Sequence, residues 1–432
     1  MANTYFVGLR GTDDNVSNER PENWRAGILR LYPNGDMPLT ALTGLMPSTP
    51  VDDPHFHWWT EAMPSQRATV TGRYTDSALA NAYVSGATAG TTLYFSMSAA
   101  DVAQFRVGHQ VLLRDASDYT VDVNGKVTAV SENGASSYIA VLLLEADDNG
   151  TGGTHDLSDC DVAMIIGSIN SEGATRPDAI TISPTEFENY TQIFRTSIDL
   201  TRTMMKTKMR SEDAYPKAKK DGLWFHGIEM EKAFMWGIKS QRTGSNGKPE
   251  RTTDGLLAFI KGAGTVADYS LDAATEYDGK TWLEAGERWM DEHLEEIFRY
   301  GGDEKLCFAG SGALLGIQRL AKATGSIQLQ VRDAAYGIRV ITWVTPFGEI
   351  TLKRHPLFSY EATNRNSMVI FEPKNIAFRY VDDTFFKADN SDRTGGGTGK
   401  DGKDEEWLTE GGLEFYHGET CGYLNGVGLD NA

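Results

Sequence analysis

Two histidines separated by one residue are the first positions where residue type and spacing could support chemistry. In the stretch "DPHFHWWTEAMPS" (53–65), His55 and His57 lie on one face if the segment is a β-strand, because side chains alternate between faces. Two imidazoles on one face can supply half of a metal site. No third ligand is close in sequence, and isolated histidine pairs usually form ordinary hydrogen bonds. We therefore predict no metal site, with a metal-binding half-site as the alternative.

A glycine-rich stretch near the C-terminus, "TGGGTGKDGKD" (394–404), resembles a phosphate-binding loop. Such a loop needs a glycine five positions before its Gly-Lys pair and a Ser or Thr hydroxyl directly after that pair, to reach magnesium. Thr394 and Asp401 occupy the two positions instead. Because Gly-rich linkers often mimic this motif, we predict a flexible hinge at 394–402 and no nucleotide cofactor.

The stretch "AGSGALLG" (309–316) follows an apolar run and opens a helical pattern, as a dinucleotide-binding motif does. The third glycine of that motif would fall at Leu315, and Ala309 replaces the glycine that a nucleophile elbow around Ser311 needs. We therefore predict that Ser311 caps the N-terminus of the helix that follows it. A run of acids over 284–296 predicts a solvated helix face. No segment combines a nucleophile, a base and an orienting group, so we predict no catalytic residues and no enzyme.

The elements that must position any site include one long helix, which we predict over 211–243. Pro216 lies near its start, where a missing N–H costs nothing, and "TGSNG" (243–247) is expected to end it. A helix of about 25 residues is a strut roughly 37 Å long. Its predicted apolar stripe consists of Leu223, Gly227, Met230, Phe234 and Ile238, widened by Trp224, Ile228 and Met235.

Other segments predict an arm, a β domain and an α/β unit. Residues 1–52 contain five prolines and no lasting periodicity, which predicts an arm that lies along something else. The block 93–170 has three strand-like runs, and Asn124-Gly125 within it predicts a hairpin turn with a bulge nearby. Residues 251–372 alternate helical and strand patterns, which is typical of an α/β unit.

Charge and composition narrow the function further. The 432 residues include 41 basic and 60 acidic side chains, for a net charge of −19. Such a surface repels phosphate backbones, so we predict no sequence-specific nucleic-acid recognition. No apolar run is long enough for a bilayer, and the first residues lack a signal peptide's apolar core, so we expect synthesis in the cytosol and no membrane association. The widely spaced Cys160, Cys307 and Cys421 argue against a disulfide framework and a structural zinc site.

The order of these parts and several local phrases together resemble one protein family. The phrases are "FHWWTEAMPS" (56–65), "SPTEFENYTQIFRTSIDLTRT" (183–203), "GEITLKRHP" (348–356), "MVIFEPKNIAFRYV" (368–381) and "WLTEGGLEFYHGETCGYLNG" (407–426). They are similar to the two strands of the extended loop, and to axial and peripheral strands, in the major capsid proteins of tailed bacteriophages. The resemblance covers nearly the whole chain and is weakest over 1–50 and 93–170.

This resemblance implies an α+β protein with the Hong Kong 97-type capsid fold and an inserted small β domain. The implied parts are an N-terminal arm (1–52), an extended loop (53–92 and 171–210), the inserted β domain (93–170), a peripheral domain with a long spine helix (211–250 and 373–432) and an axial α/β domain (251–372).

The implied function is that of a major capsid protein. Hexamers and pentamers of the chain would form the icosahedral head of a phage and enclose its double-stranded DNA without sequence-specific contacts. Portal, scaffolding and decoration proteins would be further partners, and the protein would reside in the virion after synthesis in the host cytoplasm. Two alternatives stay open: an enzyme of unknown type built on the α/β unit, and another virion part such as a decoration or tail protein.

An extended loop that lies on a neighbouring subunit needs apolar anchors, and it needs charges that pair across the contact. The alternative is that the aromatic anchors pack within their own chain, which is the usual place for such side chains. The candidates for inter-subunit contacts are Phe56, Trp58, Trp59, Glu61, Arg67, Phe187, Tyr190, Phe194, Arg195 and Arg202.

Overall fold

The computed structural model describes residues 47–61, 65–116, 122–147, 157–173, 175–209, 213–324, 328–335, 338–388 and 402–431. Most of the predicted arm and of the glycine-rich hinge lies outside these residues. The chain forms two compact units, one of residues 59–185 and one built from the segments on either side. Both units contain β-sheets and helices, which confirms the α+β class. None of the helices in the described ranges combines the length and apolar character that a membrane crossing requires.

Strands account for most of the regular structure in the described residues. In chain order they are β1 Ser48–Pro50, β2 His55–Thr60, β3 Arg67–Thr69, β4 Gly72–Tyr74, β5 Thr92–Ser96, β6 His109–Arg114, β7 Asp122–Ser131, β8 Tyr138–Leu143, β9 Val162–Ser168, β10 Thr185–Tyr190, β11 Gln192–Thr201, β12 Ser240–Thr243, β13 Pro249–Thr252, β14 Thr265–Asp268, β15 Glu304–Ala309, β16 Gln328–Ala335, β17 Ile338–Thr345, β18 Gly348–Arg354, β19 Met368–Phe371, β20 Ile376–Lys387, β21 Gly402–Phe415 and β22 Gly422–Asn425. The α-helices are α1 Ala99–Val102, α2 Arg202–Lys206, α3 Ala214–Trp236, α4 Leu256–Ala263, α5 Trp282–Phe298, α6 Ser311–Thr324 and α7 Pro356–Tyr360.

The unit of residues 59–185 is built on one seven-stranded sheet, in the order β3-β9-β6-β7-β8-β5-β4. Alternation along β6 buries Val111 and Leu113 completely, and each such side chain contributes about 1.5–3 kcal/mol when removed from water. The sheet starts at Arg67, because β3 pairs with β9 and β4 pairs with β5. The β domain is therefore wider than the predicted 93–170 and takes in part of the segment assigned to the extended loop.

Strand β7 corrects the hairpin prediction, because it runs straight through Asn124-Gly125. Gly125 pairs with Val111 on one side and with Leu143 on the other, so the turn signal lies in the middle of a sheet. A Cβ on Gly125 would lie 2.1 Å from Cγ1 of Val141. Gly125 therefore allows the neighbouring strand to come close. The bulge predicted nearby corresponds to a register shift between Val127 and Ala129.

We expect Gly125→Ala to destabilise the protein by about 1–3 kcal/mol, because the added methyl overpacks against Val141. Gly167→Ala in β9 is the matched control, since the nearest atom to its new methyl is Oε1 of Gln110 at 3.8 Å. The control should change the free energy of unfolding by no more than about 0.5 kcal/mol. Calorimetric unfolding of the two full-length variants measures the difference, and equal shifts would contradict the packing argument.

In the second unit, helix α3 packs on a four-stranded sheet with the order β1-β20-β21-β11. Every fourth residue faces the sheet, so Gly222, His226, Met230 and Phe234 are buried. Gly222 lets β11 come close, since a Cβ there would lie 3.1 Å from Cδ1 of Ile198. Strand β1, the last part of the predicted arm, adds a parallel edge strand to this sheet.

The helix is shorter than predicted and its stripe is rotated. It spans 23 residues, roughly 34 Å, and ends at Trp236 with Gly237 as its C-cap. Leu223 is 43% exposed and Ile238, which lies beyond the helix, is 71% exposed, so both are wrong as members of the buried stripe. The sequence "TGSNG" (243–247) forms most of the turn between β12 and β13 and does not end the helix.

The second unit also contains a seven-stranded mixed sheet, in the order β14-β22-β19-β15-β18-β17-β16. Helix α5 buries Trp282 and Trp289 beside it, and their indole N–H groups donate to the Gly316 carbonyl at 3.1 Å and to Asp272 at 2.9 Å. Helix α6 begins at Ser311. Strand β22 belongs to this sheet, whereas the family resemblance implies that residues 373–432 belong to the peripheral domain.

Candidate functional site

Strands β2 and β10 pair into a two-stranded ribbon that carries half of the predicted contact residues. Side chains alternate along both strands, so one face of the ribbon is covered by its own unit and the other is open. Phe56, Trp58 and Asn189 are buried on the covered face, with the half-buried Phe187 beside them. The open face carries His55, His57, Trp59, Glu186, Glu188 and Tyr190.

The covered face corrects the predictions for Phe56 and Trp58. Their side chains are only 7% and 8% exposed. The indole N–H of Trp58 donates to the Phe415 carbonyl at 2.8 Å, and its ring stacks on Phe187 with centroids 6.1 Å apart. Because their own chain already covers these two residues, they are not available as anchors for a neighbouring subunit.

Asn189 fixes the ribbon to the rest of its unit. Its side-chain amide donates to the Leu413 carbonyl at 2.7 Å, and its side-chain oxygen accepts from the Asp254 N–H at 2.8 Å. The amide is completely buried, so each of these bonds replaces water that the group has lost. Burial also raises the pKa of the Asp254 carboxyl above its ordinary value. The ribbon is thus held at one defined position on the sheet that contains β21.

On the open face, two histidines pair with two glutamates across the strands. Nε2 of His55 lies 2.8 Å from Glu188 Oε2, and Nδ1 of His57 lies 2.8 Å from Glu186 Oε1. Lys239 Nζ donates to the second oxygen of Glu188 at 2.9 Å. A hydrogen bond from Lys239, and a smaller contribution from the one with His55, hold the pKa of Glu188 below its usual range.

Three of the predicted contact residues are exposed near the start of the 59–185 unit. Trp59 has 61% of its surface exposed, which makes it the largest open side chain among the predicted aromatic anchors. Glu61 and Arg67 are exposed as well. Among single large apolar groups on a protein surface, tryptophan is a frequent hot spot of protein contacts.

The remaining candidates lie in or next to strand β11, and one of them is corrected. Phe194 is 5% exposed and packs edge-on against Phe234 of α3, with centroids 5.8 Å apart, so it belongs to the core. Arg195 donates to Glu406 at 2.8 Å within the same sheet. Arg202 is exposed at the start of α2, and Tyr190 is half-buried beside His55. Apart from Phe56, Trp58 and Phe194, the contact candidates stay predictions.

Sequence analysis missed the residues that complete this site. Glu186, Glu188 and Lys239 supply its charges, and Asn189 supplies its anchor. The signal was present, because "TEFENY" (185–190) alternates with the same period as "HFHWWT" (55–60). Matching the apolar positions of the two alternations places the glutamates on the same face as the histidines, but it does not fix which residues lie opposite each other.

An open groove of about 560 Å³ lies beside the ribbon. Its apolar wall includes Trp58, Phe187, Phe259 and Phe415, and its polar wall includes Glu186, Glu188, Lys239 and Asp254. Within the described residues, none of the groove's lining is a serine or cysteine nucleophile. The groove offers apolar surface with a charged margin, which is the composition of a binding surface.

The three cysteines and the buried His355–Glu231 pair are also enclosed in the protein interior. Cys160, Cys307 and Cys421 are all buried and unbridged, and burial raises the pKa of Cys160 to about 12. A thiol with such a pKa stays protonated and unreactive. His355 Nε2 and Glu231 lie 2.8 Å apart, but both side chains are completely buried. These groups therefore contribute to packing.

Comparison with known proteins points to one class. A family model described as the SU10 major capsid protein matches residues 5–428. The major capsid protein of Pseudomonas phage PaMx41 is 23% identical over 442 residues, which cover 98% of this chain and 96% of the relative.

Two solved structures also match over most of the chain, at low identity. A capsid of an empty GTA particle has a TM-score of 0.46 at 8% identity, over 96% of this chain and 97% of the other. A chain from Mycobacterium phage Bobi has a TM-score of 0.43 at 9% identity, over 95% of this chain and 96% of the other.

Proposed function

Because the chain belongs to the SU10 major capsid protein family, we propose that its copies assemble as hexamers and pentamers into the icosahedral head of a phage, around double-stranded DNA. The chain is a phage major capsid protein and therefore forms capsid oligomers within a virion. The single observation that carries the proposal is the family match over residues 5–428, which leaves out only a few residues at either end.

The ribbon and its surroundings support the idea that contacts between subunits involve this region. Trp59 and Ile180 are large apolar side chains that remain 61% and 43% exposed within the single chain. Residues 175–184 have no regular secondary structure and are exposed throughout. In a closed shell, such groups become buried by repeated, symmetric contacts. Many weak contacts then hold the shell together through multivalency.

The charge of the chain supports a container without tight attachment to its contents. A net charge of −19 repels the phosphate backbone, so the packaged DNA would be enclosed and not bound by sequence. We include portal, scaffolding and decoration proteins as further partners of the shell, and synthesis in the host cytoplasm, in the same proposal. A structural role without catalytic activity completes it.

Negative-stain electron microscopy of the purified, overexpressed chain tests the proposal. We expect closed shells, with tubes or rings of subunits as partial products, and material in the void volume of a sizing column. Shells large enough to see contain many copies, so their mass separates them clearly from a small oligomer. A strictly monomeric species that remains monomeric at high concentration, with or without the other head proteins, would contradict the proposal.

A further inference from the structure

Three side chains that can bind a metal converge on the open face of the ribbon. One donor atom each from His55, His57 and Glu188 lies within 4.8 Å of the other two. Glu186 lies 2.8 Å from His57 and adds a second carboxylate at the margin. The histidines come from β2 and the glutamates from β10, so 133 residues separate His55 from Glu188 in the sequence.

The pairing of the strands is what assembles this set. His55 faces Glu188 and His57 faces Glu186, so a step of two along β2 matches a step of two backwards along β10. This is an antiparallel register, in which side chains directly opposite each other lie on one face. The sequence-based objection to a metal site was the lack of a third ligand near the histidines, and the strand pairing removes it.

We propose that His55, His57 and Glu188 form a binding site for a divalent transition metal, with zinc as the best match. Two imidazoles and one carboxylate are a ligand set that zinc takes in proteins, with the fourth position filled by water or another oxygen. Glu186, two residues before Glu188 on β10, is a further carboxylate beside this set of three ligands. Side chains that are 34–49% exposed can close in on a shared ion by rotating about their side-chain bonds.

Lys239 and Tyr190 hold the surroundings of this site in place. The Lys239 ammonium group binds Oε1 of Glu188 and leaves Oε2 directed at His55. The Tyr190 ring lies against His55 with centroids 4.5 Å apart, which limits the rotation of the imidazole. Outer partners of this kind orient the ligands of metal sites.

A metal at this position would link β2 to β10 at the base of the 59–185 segment. Both strands are short, and a two-stranded ribbon of this length is only marginally stable by itself. An ion that binds the paired strands and not the separated ones stabilises the pairing in proportion to the logarithm of its concentration. The site would therefore act as a clasp on the ribbon.

Titration of the full-length, EDTA-treated protein with Co²⁺ and Zn²⁺ tests the site directly. We expect one strong site per chain by calorimetry, and a visible Co²⁺ absorption typical of tetrahedral coordination that Zn²⁺ displaces. His57→Asn and Glu188→Gln should each weaken binding by roughly 100-fold or more, because each removes a ligand. Circular dichroism without metal shows whether each variant is folded.

His293→Gln is the matched control. His293 also pairs with a glutamate, because its Nδ1 lies 3.7 Å from Glu296 on helix α5. Within the described residues, however, these two side chains are not part of a cluster of three metal-binding groups. Its substitution should leave the affinity unchanged. The proposal is overturned if wild-type protein binds neither ion at the strong site, or if binding persists in His57→Asn or Glu188→Gln. The measurement does not depend on shell formation, so it stands or falls separately from the proposed function.

Discussion

Glu372→Leu is expected to lower the free energy of unfolding by about 3–5 kcal/mol, because it leaves a buried lysine without its counter-charge. The Lys305 side chain is completely buried and that of Glu372 is 2% exposed, and their charged atoms lie 3.3 Å apart. Glu372 also accepts from the Gly302 N–H, so the substitution removes two partners at once. Chemical denaturation of full-length protein measures the change.

The double variant Lys305→Met/Glu372→Leu separates charge from packing. If the unpaired charge causes the loss, replacing both partners by apolar side chains should recover much of it, since apolar replacement of a buried pair is often neutral. A double variant less stable than Glu372→Leu would contradict this account. A Glu372→Leu variant within about 1 kcal/mol of the wild type would also contradict it, because breaking a buried pair is expected to cost about 3–5 kcal/mol.

The same pair gives a dependence on pH that the variant should lose. Burial alone raises the pKa of Glu372, but the Gly302 N–H and Lys305 outweigh it and hold the pKa below the ordinary value of 4.5. A carboxyl with a lowered folded pKa contributes stability above its unfolded pKa and loses it as the pH falls through the folded value. Acidification below about pH 4.5 should therefore cost the wild type more stability than Glu372→Leu.

Local periodicity was sufficient to indicate several elements from the sequence. Helix α5 was recognisable from its apolar stripe and its glycine stop, and Thr281 with Glu284 forms a capping box at its start. The strands β15 and β19 were recognisable as short apolar runs, and β18 was recognisable by alternation of apolar and polar residues. Such signals depend on neighbours within a few positions, which a single sequence contains.

Signals that depend on partners far along the chain were the ones that failed. Asn124-Gly125 is a turn sequence by local preference, and only the closeness of Val141 explains why a glycine stands in the middle of β7. Phe194 was a candidate for an inter-subunit contact, but it is buried in the core, where its ring packs edge-on against Phe234 of α3. Alternation predicts that one face of a strand is buried without stating which neighbour buries it.

The proposed metal ligands were missed for the same reason, because they come together only when two distant strands pair. His55 and His57 were visible as a half-site, and Glu186 and Glu188 were visible only as two acids in an aromatic-rich strand. Nothing local fixes the register between β2 and β10. Tertiary anchors fix it instead, among them the Asn189 amide and the Thr191 N–H, which donates to the Pro54 carbonyl at 2.8 Å.

Trp59→Ala is expected to abolish shell assembly at concentrations where the wild type assembles, while the chain still folds. Truncation of a tryptophan hot spot costs about 2 kcal/mol or more, roughly 30-fold in the dissociation constant of one contact. Each subunit of a shell repeats its contacts, so the loss multiplies across the assembly. Because 61% of Trp59 is exposed, its own fold should lose little. Sizing chromatography and negative-stain microscopy at matched concentrations measure assembly, and thermal unfolding measures the fold.

Two variants decide whether the effect belongs to this position. Tyr300→Ala removes another exposed aromatic ring, 53% open and far along the chain from the ribbon, and should leave shells intact. Trp59→Phe keeps an aromatic group and should retain partial assembly, because a smaller ring still fills part of the contact. Shells from Trp59→Ala in wild-type yield would remove Trp59 from the contact. Equal loss in Trp59→Ala and Tyr300→Ala would mean that assembly responds to exposed aromatic surface in general, and the ribbon would then have no special place in holding subunits together.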